Sequence, residues 1–336
     1  NIYGHDCCFV VAKKGEEVGF NLYLGGKVGV QAEDTGLFIG KDQVVSVFNA
    51  VINLFKAYGF RDNRNKNRLH FLLEAVGMEA FVDAIKQYEG LALESSGEVL
   101  ATEEFLLDES GVLELDEQKI AVHLSIPSGI FTGESLIEAA KAAQEVDGEI
   151  RLSIEQSLFI ITTPQKAKRV KESMLFDIYS RYHNAYFDHL IACAGTATCA
   201  FGVIPNKPDA IEMSNFLHKE VPIKGGKVRM YWSACPKGCG IHGVADIGFE
   251  GCKAKDQEGN KVYGVHIYLG GKATKEAKEA RVIYKAIPLK DAKYKVKKLM
   301  ELYRDERQEA ESFEAFDTRV LSHMSSEKVM EMIESR

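Results

Sequence analysis

Residues 19–27 read Gly-Phe-Asn-Leu-Tyr-Leu-Gly-Gly-Lys, and residues 264–272 read Gly-Val-His-Ile-Tyr-Leu-Gly-Gly-Lys. Six of nine positions are identical at a spacing of 245 residues. Each copy alternates as a strand with one buried face does. Each then closes on Gly-Gly, where backbone must turn or approach another segment closely. An acidic residue, Asp6 or Asp246, lies upstream of each copy. An amphipathic helix is expected downstream of each, over about 42–58 and 289–309. The spacing predicts a duplicated domain, with the 336 residues holding roughly one and a half copies of a unit. By the same arithmetic, on the order of 120 residues of the first copy are expected upstream of Asn1.

Between the copies the pattern changes twice. Residues 61–90 begin as a basic stretch and pass into one or two helices with apolar positions 69, 72, 73 and 76. Residues 119–161 read as a strand (KIAVHLSI), a turn at Pro-Ser-Gly, a helix from Thr132 to Val146, a break at Gly148 and a second strand (EIRLSI through SLFIIT). A helix over 165–183 is expected next. This β-α-β pattern predicts an α+β chain containing a ferredoxin-like half-domain. The expected divisions are 1–93, 94–185 and 186–336.

Composition narrows the classes. Hydrophobic residues are 46%, charged residues 27% and Pro only seven, the profile of a globular chain without a low-complexity majority. No apolar run approaches the roughly 18 residues that a membrane span needs. A net charge of −7 speaks against nucleic-acid or membrane partners, although a local basic pocket is compatible with it. Seven cysteines, an odd number with four of them in two close pairs, fit a reducing cytoplasm and metal or redox work better than a disulfide framework.

The two pairs are Cys193 and Cys199 in ACAGTATC and Cys235 and Cys239 in CPKGC, a C-x5-C and a C-x3-C separated by 35 residues. Four thiolates gathered in this way suit a tetrahedral zinc or the four irons of a cubane cluster. Structural zinc pairs usually keep two to four residues between ligands, so the five-residue gap is wide for zinc. Pro236, Gly238 and Gly240 favour a compact loop whose N–H groups can face sulfur. Cys7 and Cys8 lie in an apolar strand and read as buried hydrophobes, and Cys252 as a spare thiol. His5, His123, His218, His242 and His266 form no i, i+4 pair and read as surface or satisfied core histidines.

ACAGTATC followed by CPKGCG, VADIGFEG and VHIYLGGK resembles the carboxyl-terminal half of the sirohaem-dependent nitrite and sulfite reductases. GFNLYLGG with GFRDNRNKNRL is similar to the end of that family's first sirohaem-side domain, and IPSGIFTGESL with IRLSIEQSLFI to its second ferredoxin-like half. The resemblance implies a [4Fe–4S] cluster on Cys193, Cys199, Cys235 and Cys239, with Cys239 also the axial ligand of a sirohaem iron. It implies six-electron reduction of nitrite to ammonia, or of sulfite to sulfide, with electrons from ferredoxin or a reductase flavoprotein. The Asn-Lys that follows CAGTATC leans towards nitrite. A non-catalytic cofactor-binding fragment and a zinc-stabilised domain are the other readings.

Sirohaem carries eight carboxylates, so cationic donors are expected around it. Arg61, Arg64, Lys66 and Arg68 form one such cluster, and Arg151 and Gln156 lie on a strand similar to the family's cofactor-facing one. Two departures stand out. Lys237 occupies the position where the family usually has Asn, which places a cation beside the cofactors. The family's basic LPRK-like segment for substrate does not occur in these residues, which leaves the catalytic residues unassigned. Lys293, Lys297 and Lys298, on the expected helix over 290–307, are a candidate docking patch for an acidic electron donor.

Overall fold

The computed structural model describes residues 4–63, 66–100, 111–273 and 276–336. They fall into two compact units, Asn1–Glu104 with Lys272–Glu279, and Phe105–Gly271 with Ala280–Arg336. Both units mix helices and strands, and the expected segments 94–185 and 186–336 lie mostly together in the second.

In the first unit, strands β1 (Cys7–Lys14) and β2 (Glu17–Leu24) form a hairpin that pairs Cys7 with Leu24. Strand β3 (Glu33–Ile39) adds to β2 and leads into helices α1 (Val44–Tyr58), α2 (Leu69–Val76) and α3 (Met78–Gln87). Short strands β4 (Glu94–Ser95) and β5 (Glu98–Val99) complete a sheet of order β4-β3-β2-β1-β5. The alternation read in GFNLYLGGK buries Leu22 and Leu24 against Val47, Ala50 and Val51 of α1 and Leu69, Leu72 and Leu73 of α2. Removing such side chains from water stabilises by about 1.5–3 kcal/mol each, which is what holds these helices on the sheet. Cys8 packs with Val10 and Ala32 as a small hydrophobe.

The second unit opens with β6 (Val112–Glu114), β7 (Ile120–Leu124), α4 (Gly133–Glu145), β8 (Glu149–Leu152), β9 (Leu158–Thr162), α5 (Pro164–Lys171) and α6 (Met174–Ser180). Thr132 caps α4 by accepting from Ser135 N–H, as its position predicts. Two expectations are corrected here. The single strand over 149–162 is an antiparallel hairpin, β8 with β9, because Gln156 turns the chain at φ 61°. With β9 inserted between β7 and β8, the order is β6-β7-β9-β8, a split β-α-β. The helix expected over 165–183 is two, because Ser173 donates to Val170 O and accepts from Phe176 N–H, ending one helix and capping the next.

The rest of the unit is β10 (Leu190–Ala192), α7 (Lys207–Glu220), β11 (Met230–Ser233), β12 (Ile247–Lys255), β13 (Lys261–Leu269), β14 (Arg281–Pro288), α8 (Leu289–Glu306), α9 (Phe313–Phe316), which runs into a π-helical turn, and α10 (Ser326–Glu334). The sheet order is β10-β11-β12-β13-β14. Its core holds Trp232 stacked on Phe249 at 3.9 Å, with Leu299, Tyr303, Phe313 and Phe316 from the helices.

The sequence repeat is a structural repeat. Ile247 pairs with Leu269 in β12–β13 as Cys7 pairs with Leu24 in β1–β2. Gly270 N–H donates to Asp246 O at 3.1 Å, and Gly25 N–H donates to Asp6 O at 2.9 Å. Both glycines take positive φ, 75° and 85°, and a β-carbon would meet an Asp317 carboxylate oxygen at 2.6 Å in one copy and Leu73 at 2.9 Å in the other. The positive φ, with α2 packed against one glycine and the π-helical turn after α9 against the other, therefore disfavours a side chain at the first glycine of each Gly-Gly pair. Helices α1 and α8 start at equivalent positions, Val44 and Leu289, 245 residues apart.

Candidate metal centre

Strands β10 and β11 are parallel neighbours, pairing Leu190 with Met230 and Ala192 with Trp232. Parallel neighbours end at the same edge of a sheet, so the loops leaving their carboxyl ends emerge side by side. Cys193 follows β10 directly, and Ala234 and Cys235 follow β11. This pairing is what brings two cysteine loops that are distant in sequence to one edge.

Hydrogen bonds knit the loops. Cys193 N–H donates to Trp232 O at 3.0 Å, and Val203 N–H donates to Ala234 O at 2.9 Å. The Cys193 Sγ accepts from Ala234 N–H at 3.2 Å and from Asn206 Nδ2 at 3.3 Å. Asn206 also donates to Cys193 O at 2.9 Å and Trp232 O at 3.1 Å, while its own N–H donates to Asp209 at the start of α7. Donors directed at a sulfur offset negative charge there, as a metal-bound thiolate requires. Within ACAGTATC, Gly195 has φ 72°, and a β-carbon would fall 1.9 Å from Pro205 O, so only glycine fits that turn.

Cys235 is buried, Cys193 and Cys199 are half-buried and Cys239 is exposed, and all four are free thiols. Among the described residues, no three of these sulfurs lie within 4.8 Å of one another. The donor set, four thiols of which one already receives two N–H donors, fits an iron–sulfur cluster.

The remaining candidates are placed as follows. Gln156 grips the strand that delivers Cys193: its Nε2 donates to Ala192 O at 3.1 Å and its Oε1 accepts from Ala192 N–H at 2.9 Å. Lys237 is exposed, its ammonium 4.4 Å from the centre of the Phe201 ring. Arg151 sits on β8, the edge strand of its sheet, exposed and paired with Glu149. The basic cluster belongs to the first unit, whereas the cysteines belong to the second. Arg61 donates to Asn67 Oδ1 and to the carbonyls of Phe55 and Phe60. Arg68 holds Asp6 with three hydrogen bonds, Nε to Oδ1 at 2.9 Å and to Oδ2 at 3.1 Å, and Nη2 to Oδ2 at 2.8 Å. Lys66 is exposed, and Arg64 lies outside the described residues.

Two residues not singled out as site candidates adjoin the thiols. One is Asn206. The other is Lys207, the half-buried first residue of α7, whose ammonium donates to Ser128 O. Burial lowers the Lys207 pKa, and the nearby Cys193 opposes that shift. The signal available in sequence is Asn-Lys-Pro, a polar cap ahead of a proline that opens a helix. His242 is a satisfied core histidine, with Nδ1 on Ser233 Oγ at 2.8 Å and Nε2 3.2 Å from Glu250. Lys293, Lys297 and Lys298 are each paired with a carboxylate, on Glu212, Glu220 and Glu334 respectively.

The family model for the nitrite and sulphite reductase 4Fe-4S domain matches residues 1–93 and 189–336. The chain belongs to this family. It is 30% identical over 306 residues to the chloroplastic ferredoxin–nitrite reductase of Spinacia oleracea, covering 87% of this chain and 51% of the relative. It is also 30% identical to the ferredoxin–nitrite reductase of Leptolyngbya laminosa, covering 86% and 58%. The chain thus spans about half the length of these curated relatives. Its fold matches that of the Mycobacterium tuberculosis NirA protein with a TM-score of 0.81 at 23% identity, over 97% of this chain and 61% of that one. The plant relatives are chloroplastic. Among the described residues, no helix is long and apolar enough to cross a membrane.

Proposed function

We propose that Cys193, Cys199, Cys235 and Cys239 hold a [4Fe–4S] cluster, that Cys239 is also the axial ligand of a sirohaem iron, and that the protein reduces nitrite to ammonia in a six-electron reaction. The observation that carries this reading is the parallel pairing of β10 with β11, which opens both cysteine loops at one sheet edge. A single tetrahedral zinc would draw its four sulfurs to about 3.8 Å from one another, given Zn–S bonds near 2.3 Å. The five residues between Cys193 and Cys199, a gap wide for a structural zinc pair, support a cluster over a single ion.

Cluster and sirohaem together would supply the low-potential electrons. The chain's own residues shape the site around them. Asn206 and the Ala234 N–H set the charge at Cys193. Gln156 fixes the strand from which Cys193 emerges. Lys237 is the cation of the CPKGC loop, where we place it against sirohaem carboxylate or substrate oxygen; Arg151 and Lys66 are further exposed cations for the carboxylates. With Arg61 and Arg68 engaged by protein partners, their cofactor role is a matter of shape and of the donors left over. Ferredoxin, named in the relatives, is the donor class that we propose.

The test is iron and acid-labile sulfide analysis with the visible spectrum of the purified chain, followed by viologen-driven nitrite and sulfite assays on the full-length gene product. About four irons and four sulfides per chain are expected, with Cys239→Ser losing the sirohaem band and nitrite turnover. Zinc without sulfide would eliminate the redox reading, and sulfite turnover in place of nitrite would reassign the substrate. Intact cofactors and activity in Cys239→Ser would eliminate the bridging ligand.

A further inference from the structure

His123, His183 and Asp188 bring two imidazole nitrogens and a carboxylate oxygen to within 4.8 Å of one another, the one such three-ligand group among the described residues. All three belong to the second unit, and none is a cysteine-loop residue. His123 lies in the middle of β7 with its side chain 2% exposed, paired across the sheet with Phe159. The Phe159 ring lies 4.8 Å from the imidazole, centroid to centroid, and backs it. The reading of His123 as a satisfied core histidine fails here: its Nδ1 has no hydrogen-bond partner and stands 3.6 Å from Asp188 Oδ1. His183 Nδ1 is 2.9 Å from the other oxygen, Oδ2, of the same carboxylate.

A buried imidazole nitrogen without a partner is costly, and native structures seldom leave one without a water, an ion or a function to account for it. Two imidazoles and one carboxylate are a donor set of zinc and of non-haem iron, whereas magnesium and calcium favour oxygen alone. We propose that His123, His183 and Asp188 form a site for a borderline first-row divalent metal such as zinc, distinct from the cysteine centre. Its position gives it a task. His123 belongs to the four-stranded sheet, and residues 183–188 lead directly into β10, the strand that ends at Cys193. A metal held by all three would pin that strand to the sheet, acting as a structural tie without electron transfer.

The full chain is titrated with Co(II) after Cys199 and Cys239 have been replaced by Ser, which disables the thiol centre. One equivalent is expected to bind with weak d–d absorption and no sulfur-to-cobalt charge-transfer band, and to raise Tm by roughly 5 °C at a hundredfold excess over Kd. Adding Asp188→Asn or His183→Gln is expected to weaken binding at least tenfold. Far-UV circular dichroism of each variant separates lost ligation from lost folding. In the wild-type chain loaded with zinc, X-ray absorption gives an answer independent of any variant, through a nitrogen and oxygen shell at this site. No Co(II) uptake by the double-serine chain, or uptake undiminished by both ligand variants, would overturn the proposal.

Discussion

Arg229 is locked onto Asp246 inside the second copy of the repeat: Nη2 donates to Oδ1 at 2.6 Å and the backbone N–H to Oδ2 at 2.7 Å, with both side chains almost wholly buried. The same guanidinium reaches Glu314 and, at 3.5 Å, Gly271 O. In the first copy, Arg68 holds Asp6 and approaches Gly26 O at 3.5 Å, but there the pair is about two-fifths exposed. Each copy therefore clamps the residue ahead of its first β-hairpin strand with an arginine, once in the core and once at the surface. Breaking a buried pair from one side leaves an uncompensated charge and costs about 3–5 kcal/mol, whereas an exposed pair is worth about 0–1 kcal/mol. Asp246→Asn is therefore expected to lower stability severely in urea unfolding, and Asp6→Asn barely. Equal losses would contradict the difference in burial.

Asn206 carries a second prediction. Its amide serves the Cys193 sulfur and two carbonyls at once, and it takes φ 70° and ψ −69°, the γ-turn region, closed by the Lys207 N–H donating to Pro205 O. Asn206→Ala removes every one of those donors. A loss of about 1–3 kcal/mol is expected. In the cluster-loaded protein, a more negative midpoint potential is expected too, because one N–H donor to sulfur is gone. Redox titration followed by EPR reads the potential, and an unchanged potential would assign Asn206 to folding alone.

These particular residues show why sequence carries some features and hides others. The Gly-Gly repeat is legible because Gly25 and Gly270 take positive φ with the Leu73 and Asp317 side chains close by, a constraint that acts on residue identity. The Thr132 cap is legible for the same local reason. The turn at Gln156 is not, since a left-handed glutamine lacks the glycine or asparagine signature of a hairpin. Ser173, read as one more residue in a helix, ends one helix and starts another. The parallel pairing of β10 with β11, the grip of Arg68 on Asp6, and the unpaired nitrogen of His123 are set by tertiary packing. No short window of sequence contains both sides of those contacts.

Thiol chemistry gives a third prediction. Burial, with Cys8 and Asp6 close by, pushes the Cys7 thiol up to about 12. At pH 8 only about one Cys7 in ten thousand is then a thiolate, the form that reacts. Cys239 is exposed, so in metal-free protein iodoacetamide is expected to label Cys239 within minutes and to leave Cys7 unlabelled, as peptide mass spectrometry would report. Loading the cluster is expected to protect Cys239, since a coordinated sulfur cannot alkylate. Labelling of Cys239 that is indifferent to cluster content would argue against its ligand role.

Gln156 provides the last prediction, one that separates a cofactor contact from a positioning role. Both ends of its amide are engaged by the backbone of Ala192, which turns the side chain into one rung of sheet beside β10 and fixes the residue from which Cys193 departs. Gln156→Glu keeps the length and one acceptor but replaces the donor with a second oxygen facing Ala192 O, whereas Gln156→Leu removes both. A positioning residue predicts that both variants lose iron faster to a chelator than wild type does, with Leu at least as fast as Glu, and that stability falls by about 1–3 kcal/mol. Direct binding of a sirohaem carboxylate by the amide predicts a different pattern. Sirohaem occupancy would then fall while cluster iron stayed bound, and Gln156→Glu, which brings a carboxylate against a carboxylate, would be the worse of the two. Chelation kinetics read against the sirohaem absorbance distinguish these outcomes in a single preparation of each variant.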